Sequence, residues 1–394
     1  MTAYNVLIFL SALVIFSYLF DLFAKRTRLP AVLLLLLLGI GLRVLADQWR
    51  LHLPGIDIIL PTLGNIGLIL IVFEGALDLT YEHSKRPLIR KAFLSALLIM
   101  LVTTAAITSL LFYLVPGSPL LACIANAIPL SVISSAVAIP SSSGLRADQK
   151  EFVVYESSFS DILGIILFNF FTINADFGTA AFGKLGAEII GVLVMSAAFS
   201  MALLWLLGRI KHHIKFFLIL AILVLVYAVG KQFHLSSLVV VLVFGIFLAN
   251  ADQLPFAWFR TRFLYTDFHR DLEQFHSLSR ETAFLIRTFF FALFGFSVVI
   301  GQLLDVNAAS LCAVLIAATY LVRWIFLAGL RMPLRPLVFI TPRGLISILL
   351  FLSLPPQLNI PGVGIGLLFL FVLSTCVVMA LGLLAAGKAP RAEE

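Results

Sequence analysis

The chain has 394 residues, of which 61% are hydrophobic and only 12% charged, with a mean hydropathy of +1.10. A soluble chain is nearer half apolar and a quarter charged, so these figures exclude a soluble enzyme, a disordered protein and a coiled coil. In so apolar a chain the net charge of +7 is not a nucleic-acid signal. It turns the question to which loops carry the basic residues.

A hydrocarbon core about 30 Å thick takes ~20 helical residues to cross. Cutting the apolar runs at charges, helix breakers and Pro/Gly clusters gives thirteen segments: 4–23, 30–45, 58–79, 92–115, 120–140, 151–174, 185–208, 214–231, 235–250, 284–301, 307–330, 337–355 and 361–387. The first has no basic residue before it and Lys25, Arg26 and Arg28 just after it. A cleaved signal peptide has the opposite polarity, so 4–23 reads as a first span with its N-terminus outside. Alternating from there places Lys25, Arg26, Arg28, Lys85, Arg86, Arg90, Lys91, Arg146, Lys150, Arg209, Lys211, Lys215, Arg260, Arg262, Arg270, Arg280, Arg331, Arg335, Lys388 and Arg391 inside. Arg43, Arg50, Lys184 and Lys231 fall outside, so the bias is twenty to four. That is the positive-inside pattern, and one span more or fewer inverts every loop downstream of it. N-out, C-in and an odd count are supported together, and a prokaryotic plasma membrane is the expected location.

The largest loop, 251–283, is polar with interleaved aromatics (Trp258, Phe259, Phe263, Phe268, Phe275) and predicts a helix lying along the inner surface. Cys123, Cys312 and Cys376 lie inside apolar runs without metal-ligand spacing. His212 and His213 are adjacent and read as a solvated basic turn. No motif calls for a cofactor, and none carries a membrane-embedded enzyme.

The chemistry concentrates in charges within the apolar runs, because a carboxylate at the centre of a span costs ~2.5–3.5 kcal/mol on the insertion scale. The sixth segment reads Tyr155-Glu156-Ser157-Ser158-Phe159-Ser160-Asp161-Ile162-Leu163-Gly164. Counted from residue 151, Asp161 lies ~15 Å into the bilayer, at the midplane, and Glu156 ~7–8 Å in. Ser157 shares a face with Asp161, and Glu156 shares one with Ser160. Desolvation disfavours the charged carboxylate, so a proton and a cation compete for Asp161. That is the minimum chemistry of cation/proton exchange. Arg323 and Arg343 sit ~9–10 Å from the inner ends of their segments, near the depth of Glu156. Glu156 therefore reads as a structural ion-pair partner of one of them. Glu74 and Glu188 read as facing a dimer seam or an aqueous vestibule, and Arg287 as snorkelling to the inner surface.

Two segments are disrupted. The fifth contains Asn126, Pro129, Ser131, Ser134, Ser135 and Pro140, and the twelfth contains Pro336, Thr341, Pro342, Gly344, Ser347 and Ser353. Each is fifth in its half if 1–174 and 214–394 are two six-helix repeats joined by a linker helix at 175–213. Matching interrupted helices point to an inverted-repeat secondary transporter with its site near their crossing.

At these residues the chain resembles the monovalent cation:proton antiporter superfamily, in its sodium/proton exchanger branch. That family's sixth-helix signature is Glu-Ser-x-x-Asn-Asp-x-x-Gly, met here by Glu156 to Gly164 with Ser160 in place of Asn. Phe73 to Leu79, Phe289 to Gly295 and Pro342 to Ser347 are similar to its Gly-Leu-Glu-Leu, Phe-Phe-x-x-x-Gly and Arg-Gly-x-x-Ser/Ala segments. The resemblance implies an all-α, thirteen-span, usually homodimeric transporter that works by an elevator-like shift. It implies Asp161 as the exchanging carboxylate and as the ligand of the metal cation, with Ser157, Ser160, Ser131, Ser134 and Ser135 around it. Glu156 and an arginine, Arg323 or Arg343, would form the supporting ion pair. The transported ions would be H+ and Na+ (or K+ or Li+), exchanged electroneutrally across the lipid bilayer. The family's unwound fifth helix usually carries Thr-Asp-Pro, whereas 120–140 holds no acidic residue. The alternative is a proton-coupled transporter of an anion or organic solute on the same fold, with Arg323 or Arg343 as substrate ligands.

Overall fold

The computed structural model describes residues 3–27, 30–48, 56–79, 83–173, 179–209, 216–233, 235–253, 257–264, 268–298, 301 and 305–386. Among them there is no strand. The helices are α1 (Ala3–Thr27), α2 (Ala31–Gln48), α3 (Ile56–Leu77), α4 (Arg86–Leu114), α5 (Leu120–Ser131), α6 (Ser135–Ser141), α7 (Ala147–Ile173) and α8 (Thr179–Arg209). They continue with α9 (Phe216–Gln232), α10 (Ser237–Ala249), α11 (Ala257–Phe263), α12 (Phe268–Ser297), α13 (Val306–Gly329), α14 (Leu334–Leu337), α15 (Leu345–Leu352) and α16 (Ile365–Ala385). Each of the thirteen apolar segments falls on a helix or, in two cases, on a broken one. The chain is an all-helical, multi-pass membrane protein.

The two broken helices are the predicted ones. The fifth segment is α5 and α6 with 132–134 extended between them: Val132 has φ −71° and ψ 129°, and Ser134 φ −76° and ψ 117°. The twelfth is α14 and α15 with 338–344 between them. Pro342 has no N–H to donate and disfavours the helical conformation at Thr341, so a helix cannot run through this stretch.

The structure corrects the reading of the 251–283 loop. Its second half is not a separate surface helix, because α12 starts at Phe268 and runs unbroken for 30 residues, about 45 Å at 1.5 Å per residue. No proline or glycine stands between Phe268 and Phe294, so nothing stops the polar turns from continuing into the apolar ones. Only α11, with Trp258 60% exposed, is separate.

The chain divides into two compact units. One comprises Met1–Gly64, Leu88–Gly164 and Leu285–Glu394, and the other Asn65–Pro87 and Ile165–Phe284. In the first, α2 meets α12 backbone to backbone. A Cβ on Gly39 would stand 2.3 Å from the Ala292 carbonyl oxygen, and one on Gly295 would stand 2.4 Å from that of Leu36. Small residues at a crossing let membrane helices approach closely enough for van der Waals contact to hold them. Phe290, Phe294 and Phe369, all buried, extend this core, with ring centroids 6.1 Å and 5.6 Å apart along the series. In the second unit α10 packs on α8 and α9, and Phe73 of α3 touches Phe244 and Phe275 with centroids at 5.7 Å and 5.5 Å.

Candidate functional site

The two extended stretches meet in the first unit, and α7 packs beside them. A break in a helix frees backbone groups that hydrocarbon cannot satisfy. Three freed N–H groups of the first break each find a partner. The Ile133 N–H donates to Ser160 Oγ at 2.8 Å, the Ser134 N–H to the Pro342 carbonyl at 2.9 Å, and the Ser135 N–H to Asp161 Oδ2 at 3.1 Å. Ser160 and Asp161 are neighbours on α7, so one turn of α7 supports the unwound chain. The second break contributes Gly344. A Cβ there would lie 2.5 Å from Ser134 Oγ and 2.8 Å from Val137 Cγ2, so the stretches approach too closely for any side chain at 344.

Asp161 is 6% exposed. Its Oδ2 is held by the first residue of α6, and its Oδ1 has no partner among the described residues. Ser134 Oγ, buried at the same break, also has none. Two other candidate hydroxyls are spent: Ser157 Oγ donates to the Val153 carbonyl at 2.7 Å and Ser131 Oγ to that of Ala127 at 2.8 Å. Both are turns of their own helices.

Glu156 and Arg323 form a bidentate ion pair, Nη2 to Oε2 at 2.9 Å and Nη1 to Oε1 at 3.2 Å, with side chains 2% and 0% exposed. Ser95 of α4 donates to Glu156 Oε1 at 2.7 Å, and Arg323 Nε donates to the Leu337 carbonyl at 2.9 Å, at the end of α14. Arg343, the other candidate partner, is not in this pair. Its Nε donates to the Leu130 carbonyl of α5 at 2.6 Å, and its Nη1 donates to the Thr341 carbonyl at 3.0 Å and to Thr341 Oγ1 at 2.6 Å. Glu156 and Arg343 had similar counted depths, but depth along a helix says nothing about which way the helix is turned.

Glu74 lies buried in the second unit. Just past the end of α3 in the same unit, Asp78 Oδ1 lies 2.8 Å from Arg280 Nη2 and 3.1 Å from His276 Nε2. The side chain of Glu188, and His212 and His213, lie outside the described residues.

A family model for the transmembrane part of the sodium/hydrogen exchangers matches residues 10–387. The chain belongs to the sodium/hydrogen exchanger family. The fold agrees. A structure of the sodium proton antiporter MjNhaP1 from Methanocaldococcus jannaschii at pH 8 superposes with a TM-score of 0.72 at 19% identity, covering 98% of this chain and 99% of that one. An electron-microscopy structure of the same antiporter gives 0.69 at 17%, covering 99% and 100%. At such identities the likeness carries the fold alone. No curated protein matches the chain by sequence.

As a member of this family the exchanger is a transporter and not an enzyme. Sequence reasoning missed three contributors to its site. Ser95 has nine residues before it in α4, and Glu156 nine in α7. Both helices start on the predicted inner side, so matching the two counts would have found it. Thr341 was noted only as a helix breaker, yet it orients Arg343. Thr375 of α16, whose Oγ1 accepts the Arg343 N–H at 3.1 Å, stands in an unbroken apolar run, where nothing in the sequence marks it.

Proposed function

We propose that the protein exchanges a monovalent cation, Na+ first and K+ or Li+ as variants, for H+ across the membrane. Asp161 binds proton and cation alternately. The observation that carries this is Asp161 itself: a buried carboxylate with one oxygen fixed to Ser135 N–H and the other without a partner among the described residues. Such an oxygen can take a proton or ligate a cation, and desolvation makes carrying neither costly. Ser134 Oγ is a buried hydroxyl at the same break with no partner among the described residues, and the carbonyls of the break are further cation ligands of the kind unwound transporter helices use. Ser160, Ser131, Ser157 and Ser135 serve by holding the backbone around Asp161.

Glu156 and Arg323 cancel each other's charge, which leaves Asp161 as the buried carboxylate of α7 available to the ion. One proton then exchanges for one monovalent cation, and transport is electroneutral. Valinomycin-clamped membrane potentials should leave its rate unchanged, whereas a rate that follows the clamp contradicts this stoichiometry. We read 1–174 and 214–394 as the two inverted repeats and 175–213 as their linker. We read the working form as a homodimer in the plasma membrane of a prokaryote, N-terminus outside.

The second reading, proton-coupled transport of an anion or organic solute, needs a guanidinium to meet the substrate. Arg323 is bonded to Glu156, and Arg343 to Leu130 and Thr341, which counts against it. Proteoliposomes holding a pH dye, given an inward-acid gradient and then Na+, Li+, K+ or choline, decide between the two readings. Cation-dependent dye recovery supports exchange. Its absence with every cation, in folded protein, supports the second reading.

A further inference from the structure

A hydroxyl in the middle of a helix commonly donates to the carbonyl one turn back. Ser109 of α4 does so to Ala105 at 2.9 Å, and Thr319 of α13 to Leu315 at 2.9 Å. Three threonines on the buried face of α4 do not. Thr103, Thr104 and Thr108 are 1%, 8% and 7% exposed, and their hydroxyl oxygens have no partner among the described residues. Asn126 of α5, 0% exposed, adds a fourth such atom. Its Nδ2 donates to the Ala122 and Leu358 carbonyls, both at 2.8 Å. The amide cannot be turned round, because Oδ1 would then face two acceptors. Oδ1 is left without a donor among the described residues, and so is Ser118 Oγ in the turn between α4 and α5.

These atoms follow one another in depth. Ser95 of α4 meets Glu156 of α7 at 2.7 Å, and both helices start on the side read as inner. Met100 and Asp161 are each five residues further along, so they share a level ~7–8 Å beyond that contact. Thr103 lies ~4–5 Å beyond the level of Asp161 and Thr108 ~12 Å beyond it. Ser118 stands past the end of α4. Thr104 and Thr108 are i,i+4, with ~5–6 Å between their Cβ atoms, which is the span of one water hydrogen-bonded to both hydroxyls. A buried polar atom without a partner is strongly unfavourable, and ordered water shared by several such atoms removes the penalty. Neither α4 nor α5 holds an acidic residue, so a cation there would find no charge to balance its own. Water needs none.

We propose that a file of ordered water lies along the buried outer half of α4, held by Thr103, Thr104, Thr108, Asn126 and Ser118, and that it passes the exchanged proton between Asp161 and the outer solution. The Asp161 carboxyl gives its proton to the nearest water, each water hands one on, and the last gives one to the solution. Uptake reverses the steps. This rests on the reading of Asp161 as the ion-binding carboxylate and of the N-terminus as outside.

The water is tested without any substrate. A short X-ray pulse splits bound water into hydroxyl radicals that oxidise the side chain beside it, and mass spectrometry reads the product. Met100, 1% exposed, shares a face with Thr103 and Thr104, and Met379 of α16, 0% exposed, is the buried control. Native protein should oxidise severalfold faster at Met100 than at Met379. Thr103→Val with Thr104→Val keeps the side-chain shape and removes no hydrogen bond to a described residue. It should bring Met100 down to the Met379 rate, and Thr103→Ser with Thr104→Ser should keep the native rate. Equal rates at the two methionines in native protein overturn the water file, and so does a Met100 rate that the valines leave unchanged. If the valine pair does not fold, the comparison of the two methionines in native protein carries the decision.

The proton route is tested in proteoliposome exchange. The valine pair should lower kcat severalfold and leave KM for Na+ where it is, the serine pair should recover kcat, and Ser109→Ala should behave as native. Native kcat in a valine pair that has lost the Met100 oxidation overturns the route. A KM that rises as kcat falls assigns these hydroxyls to the cation and overturns it too. If native protein shows no cation-driven flux, the antiporter reading fails, and the water file is then judged on the oxidation of Met100 alone.

Discussion

At the scale of single residues, the molecule separates a carboxylate whose charge is cancelled from one whose charge is not. Glu156 has three hydrogen bonds, two from Arg323 and one from Ser95, whereas Asp161 has, among the described residues, one oxygen bonded and one not. Breaking a buried pair by removing one partner leaves an uncompensated charge and costs about 3–5 kcal/mol. Glu156→Gln and Arg323→Gln should therefore each lower the thermal midpoint in detergent sharply. Exchanging the two residues (Glu156→Arg with Arg323→Glu) should recover part of the loss. No recovery would mean that the pair acts through its other bonds, to Ser95 and Leu337, and not through charge. The prominence of these two carboxylates was legible in the sequence, since intramembrane acids are rare. Which arginine meets Glu156 was not, because counting along two helices fixes depth and leaves rotation free. Ser160 was read as a substitution for Asn, and the structure gives its hydroxyl a definite task, accepting the Ile133 N–H.

At the scale of elements, two crossings carry the design. The first is the approach of the two unwound stretches at Ser134 and Gly344. Gly344→Ala puts a methyl group 2.5–2.8 Å from Ser134 Oγ and Val137 Cγ2, which forces the stretches apart. Overpacking of this kind costs about 1–3 kcal/mol. Turnover should fall with it, and a Gly344→Ala variant with native turnover and midpoint would contradict the close crossing. The second is the clasp of Asp78, just past the end of α3, by His276 and Arg280 of α12. Asp78 and Arg280 are 20% and 56% exposed, so solvent screening limits the clasp to about 1 kcal/mol. Asp78→Asn should therefore lower the thermal midpoint far less than Glu156→Gln does, and an equal loss would contradict the screening. The positions of both breaks followed from Pro342, Gly344 and the serines of 131–135. The length of α12 did not follow. Hydropathy changes halfway along it, at about residue 284, and a change of polarity was read as an end of helix. Helices end where a backbone partner or a breaker stops them, and none stands there.

At the scale of the whole molecule, thirteen apolar segments, a twenty-to-four bias of basic residues and two broken helices converge on one architecture. The exchanger family match over residues 10–387 and the fold shared with a sodium proton antiporter agree with it. Sidedness is open to direct measurement. The native cysteines among the described residues, Cys123, Cys312 and Cys376, are buried, so single cysteines introduced at Arg146 and at Lys231 can be probed with an impermeant thiol reagent. The first should label only from the inside and the second only from the outside. Labelling of both from one side would break the odd count of three spans between the two positions. Composition made this level the most legible of the three, because membrane thickness fixes span length. The identity of the ion lies beyond it, since Ser134, the backbone carbonyls and one carboxylate oxygen suit several monovalent cations. The most direct test of the central claim is cation-driven proton exchange in proteoliposomes, native against Asp161→Asn. The account expects Na+-dependent recovery of the internal dye with native protein and none with the variant, which should remain folded with an unchanged elution profile. Exchange retained by Asp161→Asn would contradict it.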